Sequence, residues 1–195
     1  MKEKVILVDA DGVLLDWEFM FNRWMVSNGY ERTNSNSYKI VDRYSNINHS
    51  ESKKAVKCFN ESAHIGYLSP YMDAIEFVKK LHESHGYIFH CITSLGSNPY
   101  ARALRERNLK ELFGNSVFEQ IVFLDTGENK DHILKQYRDT GCFWIEDNPK
   151  NAIAGSKLGL NSILMARDYN ISYKDDIVRL QNWKEIYYYI ILQNG

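Results

Sequence analysis

Apolar residues along this chain follow two periods. Short, mostly apolar runs occupy residues 4–9, 87–93, 120–125, 142–147 and 162–166. Runs of that length, bounded by turn residues, read as strands buried on both faces. Between them, apolar positions repeat at helical spacing over 70–83, 98–107, 130–138 and 149–158. Strands alternating with helices predict a parallel sheet covered on both sides, a three-layer α/β/α architecture. A short edge strand at 177–180 and a last helix at 183–192 follow, with the Tyr187-Tyr188-Tyr189 run read as packing and surface. In such sheets ligands bind at the carboxyl ends of the strands.

Residues 16–69 break the rhythm. No strand is evident there. An aromatic helical pattern (Trp17, Phe19, Met20, Phe21, Trp24, Met25) precedes a polar segment at 33–37 and a second helical region at 50–64. The predicted organisation is therefore a core domain from 1–15 and 70–195, with a helical cap subdomain at 16–69 inserted after the first strand.

The strand ends carry the chemistry. The first run, Val5-Ile6-Leu7-Val8, ends in Asp9-Ala10-Asp11-Gly12. Two like charges about 4 Å apart cost roughly 4 kcal/mol at an effective dielectric of about 20, so such a pair needs a cation or a shared proton. The second run ends in Thr93-Ser94, the third is followed by Lys130, and the fourth ends in Glu146-Asp147. Acids, hydroxyls and a lysine thus converge on one rim. An EF-hand loop is a poor match, because glycine is fourth rather than sixth and a strand rather than a helix precedes it. Thr93-Ser94 would also serve as a helix cap. Asp16 is read as fixing the turn, and His90, mid-strand, as a hydrogen-bonded core histidine.

Bulk properties narrow the function. The chain has 195 residues and a formal net charge of −1. With no basic stripe, long nucleic acid and anionic membrane surfaces are poor partners. No apolar run is long enough to span a bilayer. Cys58, Cys91 and Cys142 lack metal-ligand spacing and fit a reducing compartment. A strand begins almost at the N-terminus, leaving no room for a signal peptide, so the expected location is cytoplasmic.

The ordered set Asp9-x-Asp11-Gly12, Thr93, Lys130 and Glu146-Asp147 resembles the haloacid dehalogenase-like superfamily of phosphatases. The resemblance implies a Rossmann-like sheet with Asp9 as nucleophile and Asp11 as acid and base. Thr93, Ser94 and Lys130 would hold the phosphoryl group, with Lys135 the rival lysine. Mg2+ would be bound by Asp9, the main chain of Asp11, and Asp147, with Glu146 as an outer partner. Asp11 argues against a dehalogenase, because that branch lacks the second aspartate. A looser resemblance to 5′(3′)-deoxyribonucleotidases, with Leu95 where that branch commonly has proline, implies a small phosphorylated substrate such as a nucleoside 5′-monophosphate. Trp17 and Phe19 are then the better candidates to contact it, ahead of Trp24 and Tyr67. Another small phosphometabolite, nucleic-acid ends, and a non-catalytic binding protein are the alternatives.

Overall fold

The computed structural model describes residues 4–174 and 176–193. Strand β1 (Lys4–Val8) leads into an inserted segment holding α1 (Trp17–Ser27), α2 (Ile40–Arg43), α3 (His49–Asn60) and a 3-10 turn at Ala63–Tyr67. The chain continues through α4 (Met72–His85), β2 (Tyr87–Ser94), α5 (Pro99–Phe113), β3 (Phe118–Leu124), α6 (Asp131–Leu134) and β4 (Phe143–Glu146). It then runs through α7 (Pro149–Lys157), β5 (Asn161–Met165), β6 (Val178–Leu180) and α8 (Trp183–Gln193). The strands pair in parallel in the order β3-β2-β1-β4-β5-β6.

Runs that are apolar throughout serve two faces at once. Ile6, Val8, Phe89 and Ile145 point to one face and join Val78 of α4, Phe113 of α5 and Ile186 of α8. Leu7, Ile92 and Trp144 point to the other, against Leu134 of α6 and Leu158 after α7. This alternation is what puts helices on both faces. The aromatic core of the insert is continuous with the first cluster: Phe21, Met25 and Phe59 are buried in it. Trp17 stacks on Phe21 at 4.4 Å, and both rings meet Phe59 edge-on.

Several boundaries differ from the sequence reading. Helix α5 runs on to Phe113, because Leu109 and Phe113 are buried and carry the apolar face past the charged stretch; Gly114, at φ 112°, stops it. Helix α6 is a single turn followed by a 3-10 turn at Lys135–Tyr137, and Asp139 and Gly141, both at positive φ, swing the chain toward β4. The second helical region of the insert divides at Ser62, whose hydroxyl accepts from the His64 N–H and opens the 3-10 turn. The short α2 is four residues with no side-chain cap and has no distinct signal in the sequence. Asp16 does fix the turn into α1: its carboxylate accepts from the Phe19 N–H at 3.1 Å. His90 is bonded at both ring nitrogens, to Tyr137 and Glu119. No helix among the described residues is long and apolar enough to cross a membrane.

Candidate active site

Strand order makes a crevice at the sheet centre. From β1 the chain steps outward to β2 and β3, then returns to the other side of β1 as β4. The reversal leaves the carboxyl ends of β1 and β4 side by side and uncovered, the place where such sheets bind ligands. The Asp9 N–H donates to the Ile145 carbonyl at 3.0 Å, which sets Asp9 beside Glu146. Beyond it a tight turn folds back, with the Ala10 carbonyl accepting from Leu14 and Leu15 at 2.8 and 2.9 Å. Gly12 sits there at φ 76°, and a Cβ on it would lie 2.3 Å from Asp147 Oδ2. Both the backbone angle and the space demand glycine.

The rim residues meet around one lysine. Lys130 is 1% exposed, and its Nζ lies 2.7 Å from Asp9 Oδ2 and 2.9 Å from Glu146 Oε2. It sits at the start of α6, where the helical spacing puts it, and its side chain is drawn inward over the Trp144 ring at 5.2 Å. Lys135 instead lines a neighbouring groove of about 320 Å³ and does not line the site cavity. Glu146 is fully buried with four donors: Lys130, Asn151, and the N–H groups of Asp147 and Asn148. Asp9, Glu146 and Asp147 bring one carboxylate oxygen each to within 4.8 Å of one another, a set that could hold a metal ion. Hard oxygen donors of this kind suit Mg2+ or Ca2+. The Thr93 hydroxyl is fully buried at the end of β2 and has no hydrogen-bond partner among the described residues. A buried orphan hydroxyl at the rim is what a ligand oxygen would satisfy.

Crowding and burial shift these groups strongly. Burial pushes the Asp9 carboxyl up to about 7, with Lys130 opposing and Glu146 adding. Glu146 is likewise raised to about 7 by burial, against the pull of Lys130. Asp11 and Asp147 are raised by burial, the first opposed by Arg105 and the second reinforced by Asp9. For Lys130 burial pulls downward, but Asp9 and Glu146 more than offset it and hold the ammonium charged. With all four acids ionised, four carboxylates face two buried cations, Lys130 and Arg105. The excess of two negative charges matches one divalent ion.

A cavity of about 490 Å³ opens over this centre. Asp9, Asp11, Thr93, Ser94, Lys130, Glu146 and Asp147 line its floor, and Trp17, Ile40, Val56 and Asn60 of the insert line the opposite wall. Trp17 therefore reaches the site, although Phe21 covers one ring face and its indole N–H donates to Asn60 Oδ1 at 2.9 Å. Phe19 is not brought there: it is 51% exposed beside Arg23 and does not line the cavity. Helix phase decides this, since residues two apart on a helix face different directions.

Three contributors escaped the sequence reading. Arg105 of α5 is fully buried, with Nη1 2.8 Å from Asp11 Oδ1. The loop 167–170 clasps the site: Tyr169 donates its hydroxyl to Asp147 Oδ2, Asn170 donates to the Asp147 carbonyl at 2.7 Å, and Arg167 donates to the Gly12 carbonyl at 2.7 Å. From the insert, Tyr38 accepts from Asn148 Nδ2 at 3.1 Å and meets Tyr169 edge-on. The Asn170 side chain, bridging the Asp147 and Met165 carbonyls, is no different in sequence from any loop asparagine.

A sheet of this order with acids clustered at the β1–β4 crevice has the fold of haloacid dehalogenase-like hydrolases. Two solved structures share it over nearly their whole length. A haloacid dehalogenase-like family hydrolase from Streptococcus pneumoniae is 15% identical with a TM-score of 0.62, covering 96% of this chain and 98% of its own. D,D-heptose 1,7-bisphosphate phosphatase from Burkholderia thailandensis is 9% identical with a TM-score of 0.60, covering 97% and 99%. The family described as 5′ nucleotidase, deoxy (pyrimidine), cytosolic type C protein matches residues 3–194, and the chain belongs to that family. A curated relative, an uncharacterized 32.4 kDa protein of the Gp30-rIII intergenic region of enterobacteria phage T4, is 26% identical over 140 residues. That match takes in 69% of this chain and 49% of the phage protein, so the chain spans about half the length of the curated relative it matches.

Proposed function

We propose that this protein hydrolyses a small phosphomonoester through an aspartyl-phosphate, with a nucleoside 5′-monophosphate as the preferred substrate class. The observation that carries the reading is the buried Lys130 bridge between Asp9 and Glu146, in one cavity with a Thr93 hydroxyl that lacks a partner among the described residues. Membership of a nucleotidase family supports the same chemistry.

Each residue has a role its surroundings permit. Asp9 attacks phosphorus as the ester bond to the leaving oxygen breaks, and Asp11 gives that oxygen a proton. Asp11 then takes a proton from water as the water oxygen bonds to phosphorus and the Asp9–phosphorus bond breaks. Lys130, Thr93 and the main chain at Ser94 hold phosphoryl oxygens. Four donors within the protein satisfy the two Glu146 oxygens, so Glu146 orients its neighbours, while Asp9, the Asp11 carbonyl and Asp147 would hold Mg2+. When bound, Mg2+ offsets charge between the acids and the phosphoryl group. The insert acts as the cap, 16–69, over a core of 1–15 and 70–195. Its Trp17, Ile40 and Val56 supply the wall that meets the leaving group, in a cavity of a size suited to small ligands. Phe19 takes no part in this wall. The free thiols of Cys58, Cys91 and Cys142 fit a cytoplasmic location.

Hydrolysis of 4-nitrophenyl phosphate with and without chelator tests the reading. The expected result is turnover that chelator abolishes and Mg2+ restores, with D9N slower by about 10³-fold or more. Turnover indifferent to chelator, or undiminished in D9N, rejects it. A panel of monophosphates tests the substrate class, and a sugar phosphate outperforming every nucleotide would overturn that part.

A further inference from the structure

We infer that Arg105 is the positioning residue for Asp11: its guanidinium pins Oδ1 and so leaves Oδ2 to face the leaving oxygen. The inference rests on the reading of Asp11 as proton donor and deepens it. Arg105 is 0% exposed, and none of its three side-chain nitrogens has a hydrogen-bond partner among the described residues. Its close polar contact is Asp11 Oδ1 at 2.8 Å, an ion pair whose angles fall outside hydrogen-bond geometry. Burying a guanidinium on these terms is costly, and replacing it with an apolar side chain of similar volume would serve packing better. A role at Asp11 is the physical reason to keep it.

The geometry at Asp11 divides its two oxygens. Oδ1 is sealed from solvent, yet the side chain as a whole is 23% exposed and lines the cavity. The oxygen available to a ligand is therefore Oδ2. Without an anchor, rotation about the Cβ–Cγ bond would exchange the two. The turn itself holds Asp11 by its backbone, in a bridge to Leu15, and gives the carboxylate no donor. Arg105 reaches it from α5, an element outside the turn, with a charge that is permanent at any working pH. In the first half-reaction the proton on Oδ2 passes to the leaving oxygen as its bond to phosphorus breaks. In the second, Oδ2 takes a proton from the attacking water.

The test compares two substrates in one preparation. An alkyl monophosphate has a poor leaving group that needs the proton, whereas 2,4-dinitrophenyl phosphate does not. The ratio of kcat on the two is insensitive to any fraction of unfolded protein. In R105M the alkyl kcat is expected to fall about 10- to 100-fold more than the dinitrophenyl kcat. R105K should recover part of that selectivity, and D11N should show the full selective loss. Equal losses on both substrates in R105M, with D11N still selective, would overturn the role of Arg105 alone. Equal losses in D11N would instead remove Asp11 as the proton donor, and the positioning role with it.

Discussion

Lys130 divides one positive charge between two buried carboxylates, and that sharing sets the chemistry open to Asp9. With the lysine as their shared cation, Asp9 and Glu146 are both pushed up to about 7, because burial outweighs it. In the role of nucleophile proposed for it, Asp9 must be ionised, so the remaining charge would have to be offset from the side of Asp147. Asp147 is itself steered by Tyr169, whose hydroxyl bonds Oδ2, while Asn170 fixes its carbonyl. Outer partners of this kind typically alter metal affinity by about 10–100-fold when removed. Y169F should therefore weaken Mg2+ binding by roughly tenfold, measured by calorimetry. Unchanged affinity would show that Asp147 needs no such support.

At the scale of elements, the turn after β1 is where the fold and the site share the same atoms. Gly12 is held at positive φ with Asp147 Oδ2 and the Tyr169 hydroxyl in the space a side chain would take. G12A should lower stability by about 2–4 kcal/mol, read by denaturant unfolding, and should also weaken metal binding. A variant of unaltered stability would mean that the turn relaxes without strain. The turn and the strand before it are legible in the sequence, because an apolar run broken by Asp-x-Asp-Gly has few other readings. The end of α5 is not legible. Its stretch Arg105-Glu106-Arg107-Asn108 has the look of a solvated surface, yet Arg105 and Asn108 are buried while Glu106 and Arg107 are not.

For the whole molecule, the site's ionisation feeds back on folding. Folding raises the Asp9 and Glu146 pKa values from 3.8 and 4.5 to about 7. Between about pH 4 and pH 7 the folded chain thus binds more protons than the unfolded one, and metal-free protein should lose stability as pH rises through that window. On the proposed function Mg2+ binds these acids in their ionised form, so the stabilisation by Mg2+ should grow over the same range. At 100 times the dissociation constant it contributes about 2.7 kcal/mol, or roughly 5–10 °C in Tm for a chain of this size. Thermal scans from pH 5 to pH 8 with and without Mg2+ check both trends. A metal-free Tm that climbs steadily toward pH 7 would contradict the burial of these acids.

The strand and helix alternation, the order of the acids, the hydroxyl and the lysine, and the strand-free stretch after β1 are all written in the chain. They depend on local periodicity and on which residues end each strand. What folding alone decided is the company those residues keep. Lys130 rather than Lys135 enters the crevice because the chain turns into α6 just after it. Trp17 reaches the cavity and Phe19 does not because helix phase separates them. Arg105, Tyr169 and Asn170 arrive from elements distant in sequence, and no local pattern reports a contact made through space across the sheet's rim.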